Sequence, residues 1–196
     1  EPQENLLYFI EKNAPRLEEW KREIIRIVRK ISQYFYPQRQ LQLMNEGCAT
    51  FFHYKIMYDL YDKGIMTDGA MQEFLHSHTG VVKQPDYDDE YYSGINPYAL
   101  GWAMYQDIER VSMKPTEEDR DWFNNQEWVG NGDYIANIKW AIENFKDESF
   151  IQQFLSPKVM RDFKMFNICD DEADPKLEVA GIHNVQGYKN IREALA

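Results

Sequence analysis

Chemistry-bearing residues gather first in Met44–Tyr54, MNEGCATFFHY, where Glu46 and His53 stand seven positions apart. At about 100° per residue, seven positions make roughly two helical turns, so both side chains fall on one face. Thr50 and Met57 share that stripe. A carboxylate on an otherwise apolar face needs a partner, because an unpaired buried charge is expensive. Two readings follow: a structural Glu–His or Glu–Arg pair, or a pair that binds a metal or lines a cleft. His76 and His78 extend the second reading, since one carboxylate with two imidazoles suits zinc or iron. Two histidines two apart diverge by about 200° on a regular helix. Either the helix has ended by His76, or only one of the two reaches a site.

No HExxH, P-loop, dinucleotide-type GxGxxG or GxSxG motif is present. The 196 residues suffice for a sizeable core, and 15% aromatic content predicts large buried rings. The formal charge of −11 argues against a general nucleic-acid binder. No apolar run approaches the roughly 18 residues of a membrane span. Cys48 and Cys169 form no CxxC motif, so reduced thiols in the cytoplasm are the expectation. The chain opens at Glu1-Pro2-Gln3 without Met, the pattern expected of a piece excised from something longer.

The elements that must position these residues are overwhelmingly helical. Residues 3–13 read as a short helix ahead of Pro15. Residues 16–35 carry Trp20, Ile24, Ile27, Val28, Ile31 and Phe35 at helical spacing. Arg22, Arg26, Arg29 and Lys30 are expected on the solvated side, or docked on an acidic partner, with Pro37 as the stop. The helix bearing Glu46 is predicted over 41–63 with Gly64 as C-cap, and the next from Thr67 to about Leu75. Residues 81–98 are turn-rich and hold Tyr87, Tyr91, Tyr92 and Tyr98, so they are expected to strap over something. Asn96 with Pro97 opens a helix to Met113, in which Gly101 predicts close helix packing. Further helices are expected from Thr116 toward Phe123, over 134–145 and 148–155, and from Pro157 to about Phe166. Asp170 to Pro175 reads as an acidic turn. Residues 176–183 are the one strand-like run, expected to pair outside the chain, and Asn184 caps a last helix. The fold class expected is mainly α, with a helical core over 1–170 and the start of a small C-terminal β-strand/α unit over 171–196.

The segment Asn45-Glu46-Gly47-Cys48-Ala49 resembles the Asn-Glu-x-x-Ala segment of gluzincin metallopeptidases, whose Glu is the third zinc ligand. Their upstream His-Glu-x-x-His helix has no counterpart in residues 1–45, which contain no histidine. The wider likeness is to the stage V sporulation protein R (SpoVR-like) family. It is carried by IIRIVRKISQYFYPQRQ (24–40), MNEGCATFFHY (44–54), MQEFLHSHTGVV (71–82) and YYSGINPYALGWAMYQDIER (91–110). It continues through FKDESFIQQFLSPKVMRDFKMF (145–166) and LEVAGIHNVQGYKNIR (177–192). The resemblance implies the central to C-terminal part of a longer cytoplasmic bacterial protein, linked in spore-formers to spore cortex formation. It also implies company with a PrkA-type serine kinase, and an upstream His-x-x-Gly-His helix that would supply what Glu46 lacks. Cys48 and Phe52 stand where the family usually has Trp.

Two functions are therefore expected. In one, the chain is part of a zincin-related, metal-binding cleft, a hydrolase or a degenerate relative. Glu46 ligates zinc or iron, His53, His76 or His78 complete or flank the site, and Asn96 and Tyr98 position a peptide-like ligand or an oxyanion. In the other, it is a non-catalytic scaffold that docks the kinase system.

Overall fold

The computed structural model describes residues 6–169, 178–180 and 184–196. The chain forms two compact units, Glu1–Leu41 and Gln42–Ala196. Described residues are mainly helical, and none of their helices is long and apolar enough to cross a membrane. The acidic turn 170–175 and the boundary expected near residue 170 lie outside the described residues.

The first unit pairs α1 (Leu6–Asn13) with α2 (Glu19–Arg39). Here the expected orientation is inverted. The α2 arginines turn toward α1, where Glu11 is buried and takes Arg26 Nε at 3.1 Å and Arg29 Nε at 3.3 Å. Arg22 donates to the Glu11 and Ala14 carbonyls at the end of α1. The acidic partner of the basic stripe is thus the chain's own Glu11. The apolar stripe from Trp20 to Phe35 stays about half exposed, with no cover among the described residues of this unit. Pro37 also does not stop α2. Lying two residues from the helix end, its missing N–H leaves only one carbonyl short of a bond, and the chain closes with Gln40 N on Pro37 O.

The second unit is built on α3 (Gln42–Asp62) and α5 (Pro97–Met113), with α4 (Asp68–Val81) beside α3. Helices α3 and α5 cross at Gly47 and Gly101. A Cβ on Gly101 would clash with the Leu43 carbonyl and sit 2.8 Å from Gly47 Cα, so glycine is what lets the two backbones touch. The start of α3 is capped from afar: Asp147 accepts from Leu43 N and Met44 N, both at 2.9 Å. Its end is a Schellman turn, with Gly64 at φ +69°, Ile65 N on Leu60 O and Gly64 N on Tyr61 O.

Four shorter helices follow: α6 (Glu117–Trp122), α7 (Tyr134–Asn144), α8 (Asp147–Phe154) and α9 (Pro157–Asp162). A capping box of Thr116 and Asp119 starts α6. Helix α9 ends sooner than predicted because Lys164 takes the left-handed turn that glycine usually fills, at φ +49°. Tyr105 lies at the centre of the core, its ring 5.2 Å from Phe150 and 6.2 Å from Phe51. The strand-like run contains β2 (Glu178–Ala180), which pairs antiparallel with β1 (Asn167–Cys169) of the same chain rather than with residues outside it. Helix α10 (Val185–Leu195) begins at Asn184, whose side chain accepts from Gly187 N at 2.8 Å.

Candidate functional site

Glu46 lies one residue before the Gly47–Gly101 crossing and is half-buried. Tyr98, in the first turn of α5, lies one helical turn before Gly101, so the crossing brings the two side chains together. The Tyr98 hydroxyl donates to the Glu46 carboxylate, and this hydrogen bond with the carboxylate's charge pushes the phenol pKa up. Tyr98 is therefore a neutral donor across the ordinary pH range. Among the described residues no cationic side chain lies at salt-bridge distance from Glu46. A half-buried carboxylate beside a tightly packed crossing thus has a hydroxyl to orient it and no counter-charge among the described residues.

Asn96 fixes Tyr98. Its Oδ1 accepts from Tyr98 N at 3.0 Å, and its Nδ2 donates to the Val81 and Lys83 carbonyls at 2.8 and 3.1 Å. Its backbone N donates to Gln84 Oε1 at 2.7 Å. With every polar atom of its side chain engaged on backbone, Asn96 acts as an N-cap that also ties the end of α4 to the start of α5.

The histidines go elsewhere. Helix α4 continues through both His76 and His78, so the two diverge: His76 is exposed and His78 is buried. His78 packs in an aromatic cluster, with ring centroids 5.2 Å from Tyr54, 5.4 Å from Phe74 and 5.1 Å from Trp102. Burial, and secondarily the charge of His53, push its pKa down, and its Nε2 has no hydrogen-bond partner. His53 is exposed on α3, its ring edge-on to Phe74 at 5.0 Å. The structure thus gathers Glu46 with Tyr98, gathers His53 with His78 around Phe74, and leaves His76 apart.

Among the described residues no three His, Cys, Asp or Glu side chains converge as a metal would require. The described residues therefore do not by themselves make a zinc or iron coordination set. Cys48 is a free thiol whose pKa burial pushes up, which keeps it protonated and a poor metal ligand at neutral pH.

Sequence reasoning missed two neighbouring features. Tyr54 donates to or accepts from Tyr58, and that bond with burial pushes the Tyr54 hydroxyl up to about 12. A cleft of about 620 Å³ opens on the far side of α5's first two turns, between the tyrosine-rich loop, the end of α9 and α10. The tyrosines of residues 87–92 were its one signal in the sequence.

The whole chain, residues 1–196, matches the family model described as SpoVR like protein. It is 60% identical over 196 residues to the "Uncharacterized protein YcgB" of Escherichia coli (strain K12), covering all of this chain and 38% of that protein. No solved structure matches. A family match along its full length, with that degree of identity to a relative it spans by little more than a third, places this chain in the SpoVR-like family.

Proposed function

We propose that this chain contributes the carboxylate side of a zincin-like, metal-dependent cleft, with Glu46 as a zinc or iron ligand and Tyr98 as the residue that orients it. The observation that carries the reading is the state of Glu46: half-buried, held by a phenol donor, with no cation among the described residues to neutralise it. Carboxylate ligands are commonly held by a hydrogen-bonded neighbour in this way, whereas a structural carboxylate in a packed crossing is normally paired with a cation. The remaining ligands would come from other parts of the longer family chain. Hydrolysis is the reaction class that such a site serves. Metal analysis of a full-length SpoVR protein carrying this segment tests the reading. Stoichiometric zinc or iron that is lost in Glu46→Gln supports it; a protein that stays metal-free after reconstitution refutes it.

A second reading is favoured by one observation, the apolar stripe Trp20 to Phe35, about half exposed among the described residues of its unit. On that reading the chain is a cytoplasmic scaffold for a PrkA-type serine kinase system, in spore cortex formation or in stress and envelope regulation. A kinase that binds equally to wild type and to a variant with Ile24 and Ile31 changed to Asp would remove it.

A further inference from the structure

We propose that the cleft under the tyrosine-rich loop binds a small molecule with a flat aromatic or apolar body and a protonated amine. Its volume, about 620 Å³, is that of a pocket for a drug-sized ligand. The loop over it is pinned rather than loose. Gln84 donates to Gly94 O at 3.2 Å, Lys164 meets Asp86 at 2.7 Å, and the Tyr87 ring stands edge-on to Phe166 at 5.1 Å. The walls are apolar and ring-rich, from Tyr92, Trp102, Phe163, Phe166, Met165 and Ile191. Such rings offer apolar area to a flat ligand and their faces to a cation.

The charge of the ligand follows from what lies at the inner end. The cleft adjoins a polar recess of about 130 Å³, sharing Ala103 and Asp162 with it. Ala99, Ala103 and Asp107 follow at intervals of four on α5, so two small side chains make a floor that leads to a carboxylate. Asp107 is 4% exposed, and its Oδ1 takes Arg110 Nε at 2.7 Å. Its Oδ2 has no hydrogen-bond partner. An unsatisfied buried acceptor is costly, and a donor brought in by a ligand relieves it. That donor should be charged. Asp86, Asp88, Asp107 and Asp162 line the two spaces, and Asp119 takes the other side of Arg110. Against these five carboxylates stand Lys158, Lys164 and Arg110. The balance favours a cation, and it disfavours an anionic ligand in this cleft.

The probe is 2-phenylethylamine, with 2-phenylethanol as its uncharged counterpart, followed by ligand-observed NMR on the whole protein. The amine is expected to bind about tenfold more tightly than the alcohol. Ala103→Phe, which fills both spaces from a position facing the cleft, should abolish binding of both without lowering the melting temperature. Asp107→Asn should weaken the amine severalfold and leave the alcohol unchanged. Equal affinities for amine and alcohol overturn the proposal, as does binding that survives Ala103→Phe. So does the absence of binding up to about 10 mM, which would mean that water alone occupies the recess.

Discussion

Replacing Gly101 by alanine is the sharpest perturbation of the frame that holds Glu46. The added methyl would lie 2.8 Å from Gly47 Cα and 3.1 Å from Gly47 N, and closer still to the Leu43 carbonyl oxygen. Carbon atoms pack best at about 3.5–4.0 Å, so α3 must retreat by most of an ångström along its longest contact. The opposing atoms are all backbone, so no side chain can rotate away. Overpacking of a rigid site costs about 1–3 kcal/mol, and this site belongs at the upper end. Against it stands the gain of about 1 kcal/mol for alanine over glycine inside a helix. The net loss is about 2 kcal/mol, which for a urea m-value of about 2 kcal/mol/M lowers the midpoint by about 1 M. The same displacement should break the Tyr98–Glu46 hydrogen bond. Gly69→Ala is the control, since a Cβ there meets nothing within 4 Å and the helix should gain stability. Urea unfolding followed by circular dichroism measures both. A Gly101→Ala protein that unfolds at the wild-type midpoint or above it would refute the close-contact account of the crossing.

Three further outcomes follow from the surroundings. Asp147→Ala removes the acceptor for Leu43 N and Met44 N, and should lower stability in urea by about 1–2 kcal/mol; a loss near zero would mean the start of α3 is capped by water. Burial raises the Asp119 pKa, but its hydrogen bonds to Arg110 and Thr116 outweigh this and hold it at about 2. Its stabilisation of about 2–3 kcal/mol is therefore complete above about pH 4 and is lost as pH falls toward 2; Asp119→Asn should flatten that part of an acid-unfolding curve. His78 has its pKa lowered by burial, so its protonation destabilises the fold. Stability should drop as pH falls below about 6.5, and His78→Phe should reduce that drop in melting temperatures measured from pH 8 to 5.

What was legible in the sequence is what local chemistry controls. Asn96-Pro97, Thr67, Thr116 and Asn184 each open a helix as their types predict, and Gly64 closes one in a left-handed turn. Gly101 foretold the close packing, because a small residue amid Trp102, Met104 and Tyr105 has few other uses. Pairings across the chain were not legible. Asp147 reaches Leu43 over 104 positions, and nothing in the spacing of either residue announces it. Spacing leaves the basic stripe of α2 open between solvent and an acidic partner, because that partner is a single acid, Glu11, on another helix. The partner of the strand at 178–180 leaves no pattern in the sequence, because β1 is only three residues long. In the candidate site the periodicity puts Glu46 and His53 on one helix, and α3 runs unbroken through both, yet it could not show that Tyr98 would reach only the first of them. Nor could it show that α4 would run on through His78 and bury it.

Zinc affinity by chelator competition in a full-length SpoVR protein tests whether Glu46 is a metal ligand and Tyr98 its orienting neighbour. Glu46→Gln should lose zinc binding almost entirely, while Tyr98→Phe, which keeps the ring and removes only the hydroxyl, should weaken it about 10- to 100-fold. Affinity unchanged by Glu46→Gln, in a protein that folds and melts as the wild type does, would contradict the account.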